Sequence, residues 1–250
     1  LSLFRGRDVS LGDSIEHAHR ELRAAVAESL RQGVTPVVIG GGHDFGYPHF
    51  AGAADALGGK PALINVDAHL DVRPPANEGI TSGSPFYLAI EEGVLDPRKF
   101  VEFGIQEHCN DRQFAEWLRA RGGRIELLGA SRARRGAAAN FKALIDGFAR
   151  KKLDVVVSFD VDAVQMSQAP GVSAPQADGF TAADLLEMAR YCGESPAVAT
   201  VGFFELAPSL DDGAQSTTRL VATAVHRFLS ALSQRGGTRS AKRSFLRRQR

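Results

Sequence analysis

Apolar positions along the chain recur with two different spacings, which alternate from about residue 14 to residue 232. Between Ser14 and Gly33 they recur every three or four positions, which is the spacing of one face of a helix. The next apolar stretch, residues 35–39, is short and rich in β-branched side chains, as strands are. The pattern predicts strands over 35–39, 61–64, 99–105, 124–128, 153–159 and 197–204 and helices over 14–32, 45–57, 85–91, 111–118, 137–149, 181–191 and 214–232.

Strands that alternate with helices along a whole chain predict an α/β fold in which helices cover both faces of a mostly parallel sheet. Nothing in the composition marks a second domain, so residues 1–234 are expected to form a single unit. In sheets of this kind the functional site lies at the carboxyl ends of the strands. The residues that follow the predicted strands are therefore the first candidates for chemistry.

Acidic residues and histidines follow three of the predicted strands. In Asn65-Val66-Asp67-Ala68-His69-Leu70-Asp71, the alternation of an extended chain points both aspartates and the histidine the same way. Ser158-Phe159-Asp160-Val161-Asp162 repeats the arrangement, and Gly40-Gly41-Gly42-His43-Asp44 places a histidine after a glycine turn. Converging carboxylates and imidazoles need a cation to join them, and a divalent metal is the natural partner. The candidate ligands are His43, Asp67, His69, Asp71, Asp160 and Asp162.

This ligand set is large enough for two metal ions. Its oxygen and imidazole donors, without a thiolate, favour Mn²⁺ over a structural zinc. Two ions that share a water lower its pKa, which indicates hydrolysis at a planar carbon or at phosphorus. Each aspartate taken alone has a plainer explanation as a helix cap or turn residue, but the coincidence of three such stretches favours the metal site.

Composition narrows the class of protein. The 250 residues have a net charge of +1 and no apolar run near the ~18–20 residues that cross a bilayer. With no secretory signal and only Cys109 and Cys192, the chain is expected to be cytoplasmic with reduced thiols. Residues 235–250 contain seven Lys or Arg and no Asp or Glu. We expect a disordered, solvated tail there and no nucleic-acid or membrane partner, although a basic tail that touches either is the alternative.

The three stretches resemble the metal signatures of the ureohydrolase superfamily, which includes arginases, agmatinases and formimidoylglutamases. They occur in the family's order, and the similarity runs from about Gly33 to Leu232. The resemblance implies an arginase-like three-layer α/β/α sandwich, a homo-oligomer and two Mn²⁺ per subunit. It also implies an N-terminal strand and helix that the short stretch before Ser14 does not supply. By position, His43, Asp67, Asp71 and Asp160 would hold one ion, and Asp67, His69, Asp160 and Asp162 the other, with Asp67 and Asp160 bridging.

Three further features resemble formimidoylglutamases within this superfamily. Arginases and agmatinases usually carry a His-Gly-X-Pro segment, whereas Thr81-Ser82-Gly83-Ser84-Pro85-Phe86 has a serine in place of that histidine. Arg73, two residues after a ligand, has the fork that pairs bidentately with carboxylates. Gln106 and Asn110 also match the formimidoylglutamase pattern. The plainer alternatives are that Arg73 is a surface cation and Gln106 a buried structural amide.

The resemblance implies a hydrolase that cleaves the formimino C–N bond of N-formimidoyl-L-glutamate, an anionic amidine, to L-glutamate and formamide in histidine degradation. The residues expected to bind the substrate are Arg73, Ser82, Gln106, Asn110 and Glu205. Asp162 would take a proton from the attacking water, and Glu205 would pair with the protonated amidine or else form a structural ion pair with a loop arginine. Two alternatives stay open: a ureohydrolase that releases urea from a guanidino acid or agmatine-like substrate, and a non-catalytic metal-binding relative.

Overall fold

A sheet of six parallel strands forms the centre of the computed structural model, which describes residues 2–3, 5–9, 12, 14–75 and 79–235. The strand order is β1-β6-β5-β2-β3-β4. Every residue of β2, β3, β5 and β6 is buried, as expected for the inner strands of a parallel sheet, whose sequences are almost continuously apolar. The strands are β1 (Val37–Ile39), β2 (Ala62–Val66), β3 (Phe100–Ile105), β4 (Arg124–Leu127), β5 (Val155–Asp160) and β6 (Val198–Phe204).

Helices cover both faces of this sheet. They are α1 (Ile15–Arg31), α2 (Gly46–Leu57), α3 (Pro85–Glu91), α4 (Arg112–Ala120), α5 (Leu128–Arg132), α6 (Ala137–Arg150), α7 (Ala182–Glu194) and α8 (Ser216–Ser233). Successive strand residues point to opposite faces, so they pack into two separate cores. Ile64 and Val157 belong to the core that contains residues of α6, α7 and α8, and Leu63 and Val156 to the core that contains residues of α1 to α4. The predicted three-layer α/β/α sandwich is confirmed.

Short-range hydrogen bonds explain why several helices begin where they do. Ser14 Oγ accepts a hydrogen bond from His17 N at the start of α1. Thr181 and Asp184 form a reciprocal capping box at the start of α7, and Pro85 occupies the first position of α3, where its missing N–H costs nothing. Caps of this kind contribute about 1 kcal/mol each.

The short elements differ most from the sequence-based picture. α5 is absent from the predicted helices because five residues are too few to show a helical period. Residues 236–250, nearly all of the predicted tail, lie outside the described residues; Arg235, just before them, donates a 3.1 Å hydrogen bond to Val198 O. None of the described helices combines the length and the apolarity needed to cross a membrane.

Candidate metal centre

Adjacent strands deliver the predicted ligands to one edge of the sheet. β2 and β5 are parallel neighbours in register, so Asp67, just after β2, lies beside Asp160 at the end of β5. His43 follows β1 through a turn in which Gly40 and Gly41 have φ values of 91° and 81°. These positive values favour glycine, because a Cβ would clash with the backbone. The ligands therefore converge at the carboxyl end of the sheet, where the alternation predicts a site.

His43 lies at the centre of the first group of ligands. Its Nδ1 is 2.9 Å from Asp71 Oδ2, 3.0 Å from Asp160 Oδ2 and 3.2 Å from Asp67 Oδ2, and all four side chains are buried. Its Nε2 shares a 2.7 Å hydrogen bond with Ser158 Oγ, which directs Nδ1 to the carboxylates. Although Nδ1 is close to three oxygens, it makes no well-directed hydrogen bond to any of them. This is the geometry of ligand atoms arranged around a common centre.

Asp67, His69 and Asp162 form a second group beside the first. His69 Nδ1 is 3.1 Å from Asp162 Oδ2 and 3.5 Å from Asp67 Oδ1. Asp67 therefore offers one oxygen to each group, as a bridging carboxylate does. Asp160 directs Oδ2 to the first group, while its Oδ1 accepts a 2.8 Å hydrogen bond from Asp162 N. The predicted bridging role of Asp160 stays a prediction.

The site concentrates negative charge that basic side chains do not neutralise. Within the described chain, the ion pairs of the four aspartates are all with His43 or His69. Burial and the charge of Asp67 raise the pKa of Asp71 to about 7. Burial and neighbouring carboxylates raise the pKa of Asp160 well above its ordinary value. Burial opposes protonation of His43, yet the surrounding aspartates raise its pKa well above 6.5. In the absence of a cation, protons are drawn to this cluster.

The ligand set fits a pair of divalent cations. Four charged carboxylates and two neutral imidazoles balance two divalent ions, and donors without a thiolate suit Mn²⁺. His43 Nδ1 and Asp162 Oδ1 are buried and have no hydrogen-bond partner among the residues that the structure describes, as expected of atoms that a cation would coordinate.

Glu205 lies against the turn that carries His43. Its φ of 61° is uncommon for a residue other than glycine. Glu205 Oε1 accepts a 2.7 Å hydrogen bond from His43 N, and Oε2 accepts one of 2.7 Å from Ser173 Oγ. Its own N–H donates to Gly41 O at 2.9 Å. No arginine pairs with Glu205 in the part of the chain that the structure describes, so the alternative of an arginine ion pair has no partner there.

Arg73 lies on the loop after Asp71, with its guanidinium over Gly83. A methyl group at Gly83 would lie 2.0 Å from Arg73 Nε and Nη2. The two segments are also joined by a 2.8 Å hydrogen bond from Arg73 N to Gly83 O. Among the described residues, the guanidinium has no hydrogen-bond or ion-pair partner. The exposed guanidinium of Arg73 therefore lies two residues after the candidate ligand Asp71, beside the turn that contains Ser82.

Gln106 and Asn110 form hydrogen bonds to the loop after β2, which carries three of the candidate ligands. Gln106 N donates to Ala68 O at 3.0 Å. Asn110 Nδ2 donates to Ala68 O at 2.8 Å and to Gln106 O at 2.7 Å, and its Oδ1 accepts a 2.6 Å hydrogen bond from Leu70 N. The amide of Asn110 thus shapes the ligand loop directly.

Sequence reasoning missed several polar side chains that support the ligands, namely Asn65, Glu102, Ser158, Ser173 and Gln176. Asn65 and Ser158 lie two residues before ligands on the same strand faces, so the alternation could have identified them. Gln176 Nε2 is 3.3 Å from His69 Nε2. It comes from the irregular segment 163–179, where no periodicity points to a particular residue.

Comparison with known proteins agrees with this geometry. The model of the Arginase family matches residues 1–230. The formimidoylglutamase of Geobacillus thermodenitrificans is 32% identical over 234 residues, which are 91% of this chain and 70% of the relative. The formimidoylglutamase of Geobacillus kaustophilus is 31% identical over 229 residues, 90% of this chain and 68% of the relative.

Solved structures share the fold. Trypanosoma cruzi formiminoglutamase with Mn²⁺ superposes with a TM-score of 0.84 at 34% identity, over 91% of this chain and 75% of that one. The formimidoylglutamase of Bacillus subtilis has the same fold, with a TM-score of 0.83 at 24% identity, over 92% of this chain and 71% of that one. Because the family model spans nearly the whole chain and the ligand stretches that resemble the family converge in one buried cluster, the protein belongs to the arginase family.

Proposed function

We propose that this protein is a manganese hydrolase that converts N-formimidoyl-L-glutamate and water to L-glutamate and formamide. The observation that carries the proposal is a complete cluster of candidate metal ligands with the guanidinium of Arg73, which has no partner among the described residues, two positions beyond it. The similarity to the formimidoylglutamases of G. thermodenitrificans and T. cruzi, at 32% and 34% identity, supports the same substrate.

The two ligand groups are proposed to hold two Mn²⁺. His43, Asp67, Asp71 and Asp160 would hold one ion, and Asp67, His69 and Asp162, together with Asp160 as the resemblance implies, would hold the other. When bound, such a pair of ions supplies an acidified water at neutral pH and polarises the substrate. The protein's part is to keep the ligands charged and in place.

The remaining groups orient the substrate and move protons. Asp162, which is buried beside His69 in the second ligand group, is proposed to accept the proton of the attacking water. Glu205 is proposed to face the protonated amidine; the N–H of His43 and the hydroxyl of Ser173 fix its orientation and leave lone pairs free. Water adds to the formimino carbon, the bond to the glutamate nitrogen breaks, and that nitrogen takes up a proton, which gives formamide and L-glutamate.

Arg73 and Ser82 are proposed to bind the substrate carboxylates. The guanidinium is free to form a bidentate pair, and Ser82 lies on the turn beside it. Gln106 and Asn110, expected from the sequence as direct contacts, act in this proposal through the ligand loop that they hold.

Replacing Arg73 by alanine is expected to raise KM for N-formimidoyl-L-glutamate about 10- to 150-fold, because a hydrogen bond between charged groups contributes about 1.5–3 kcal/mol. We expect a much smaller change in kcat, since Arg73 lies outside the reacting centre. Steady-state kinetics of the Mn²⁺-loaded variants measure both constants. Arg73→Lys, which keeps the charge without the fork, should fall between wild type and Arg73→Ala. An unchanged KM in Arg73→Ala would remove this residue from the substrate site.

Gly83→Ala tests the position of the same guanidinium without removing it. The three atoms nearest to the new methyl group would all belong to the flexible end of Arg73, so the guanidinium is expected to move while the fold stays intact. KM should rise towards the value of Arg73→Ala. In an Arg73→Ala background the same change should have no further effect, since its target is gone. A second rise in KM there would show that Gly83 acts by another route.

Separate assays for formamide and urea test the reaction itself. We expect Mn²⁺-loaded protein to form formamide from N-formimidoyl-L-glutamate and to leave arginine and agmatine uncleaved. Release of urea from a guanidino substrate would replace the proposal by the urea-releasing alternative. Full Mn²⁺ occupancy without turnover of any of these compounds would favour a non-catalytic relative.

A further inference from the structure

A second row of polar side chains lies one layer beneath the metal ligands. Asn65 on β2 is in register with Glu102 on β3 and with Ser158 on β5, and all three are buried in the middle of the sheet. Ser158 serves the ligand His43 through its 2.7 Å hydrogen bond. Asn65 and Glu102 have no role in the proposed reaction, although a fully buried glutamate is rare in proteins unless it is paired.

Asn65 links Glu102 to the bridging ligand. Its Nδ2 donates to Asp67 Oδ2 at 3.1 Å and to Glu102 Oε2 at 2.9 Å. The other polar atom of each of these two side chains, Asn65 Oδ1 and Glu102 Oε1, is buried and has no hydrogen-bond partner in the described part of the chain. An unpaired buried polar atom costs about 1–3 kcal/mol. Two such atoms on one contacting pair therefore call for a common explanation.

A single proton accounts for both atoms. A carboxylic acid and a primary amide each present one donor and one acceptor side by side, so they can pair through two hydrogen bonds. Here Asn65 Nδ2–H to Glu102 Oε2 is one of them, and a proton on Oε1 would give the other, to Asn65 Oδ1. A charged Glu102 would leave two unpaired acceptors, and no cation pairs with it within the described chain. Burial and the charge of Asp67 also raise the pKa of Glu102 well above its ordinary value.

We propose that Glu102 is a neutral carboxylic acid that, through Asn65, fixes the orientation of the bridging ligand Asp67. With both ends of its amide engaged, Asn65 cannot flip, so Nδ2 always faces Asp67 Oδ2. The N–H of His69 holds the other oxygen, Asp67 Oδ1, at 2.7 Å. Both oxygens are thereby set before a metal arrives. The inference rests on the proposed metal centre but not on the identity of the substrate, and Glu102 is a positioning residue.

Glu102→Gln is the decisive variant, because glutamine presents a donor and an acceptor at the positions of a protonated glutamate. We expect its Mn²⁺ affinity, measured by competition with a chelator, and its kcat to stay close to wild type. Glu102→Met, of similar length but without polar atoms, should bind Mn²⁺ about 10- to 100-fold more weakly, which is typical when a partner of a ligand is lost. The proposal is overturned if Glu102→Gln loses as much affinity as Glu102→Met, or if Glu102→Met binds like wild type.

Infrared difference spectra between wild type and Glu102→Gln report the proton directly. In the metal-free protein at neutral pH, wild type should show a carboxylic acid carbonyl band that the variant lacks, and its absence would overturn the neutral acid. This measurement needs neither metal nor turnover. A chain that binds no Mn²⁺ would therefore defeat the proposed function while the spectra still decide the state of Glu102. If Glu102→Met does not fold, Glu102→Gln and the spectra decide by themselves.

Discussion

Replacement of Asp160 by asparagine is expected to lower kcat about a thousandfold or more, because metal ions contribute several kcal/mol to transition-state stabilisation and each 1.36 kcal/mol is about tenfold in rate. Asparagine keeps an acceptor for Asp162 N, so the local backbone should hold, but it removes a charge from the first ligand group. Metal analysis should find fewer than two Mn²⁺ per chain. Activity within tenfold of wild type would show that Asp160 is not a ligand.

Two measurements separate this result from simple unfolding. The metal-free Asp160→Asn protein should melt at or above the temperature of metal-free wild type, because asparagine replaces a carboxyl group that burial and its crowded neighbours make costly to ionise. Asp184→Asn provides the matched control. Asp184 belongs to the capping box of α7, so its replacement should cost about 1 kcal/mol of stability. Because it lies far from the candidate ligands in the sequence, kcat should stay unchanged.

Metal-free protein is expected to lose stability as pH rises from about 4 to about 7 and beyond. The pKa of Asp71 is raised from 3.8 to about 7 by burial and the charge of Asp67, so the folded state holds more protons than the unfolded chain across this window. The raised pKa values of His43 and His69 extend the loss upwards from 6.5. Two buried groups act in the opposite direction: Asp67, whose pKa is lowered, only as pH falls below 3.8, and His49, whose pKa burial lowers to about 3, up to pH 6.5. The raised pKa values of Asp160 and Glu102 outweigh the effect of His49, so the net stability still falls.

Mn²⁺ should reverse this trend, since the ligands must lose their protons to bind it. At a free Mn²⁺ concentration 100 times Kd, the gain is about 2.7 kcal/mol. Thermal melts of EDTA-treated and Mn²⁺-loaded protein between about pH 5 and pH 8 measure the difference, which should widen with pH. A difference that stays constant with pH, or metal-free protein that becomes more stable as pH rises, would contradict the proposed ligand set.

The layered fold could be predicted from the sequence because its inner strands are continuous apolar runs bounded by glycine and polar residues. β2 and β5 are completely buried, and their runs are unambiguous. β1 has only three residues, and its Ile39 is 55% exposed, so burial gives no signal for where this strand begins. β-propensity alone predicts a start at residue 35, two residues too early. Strand order does not follow from the pattern, because it depends on which apolar faces pack together in three dimensions.

The convergence of the candidate ligands could be predicted because each stretch places acidic or histidine side chains at the end of a strand. The surroundings of Arg73 could not be predicted, because its contact with Gly83 depends on the path of the loop between the two residues. Ser173 and Gln176 reach Glu205 and His69 from a segment without periodicity, so only the tertiary structure identifies them. The hydrogen bonds of Asn110 likewise depend on the path of the loop around Ala68, which the sequence pattern does not predict.

Five of the six candidate ligands lie at the end of one of two strands, β2 and β5, or just after it. These strands are hydrogen-bonded to each other, and their side chains alternate between the two cores. Asp160 ends β5 and Asp67 directly follows β2, so a slip of one strand by a single residue would move these two carboxylates apart, and a slip of β5 would turn Asp160 to the other face of the sheet. The ligand cluster therefore exists only in the correctly aligned sheet. A cation that binds this alignment and no other favours it by mass action over misaligned compact states. The metal would thus act during folding as a check on strand pairing, before any substrate is bound.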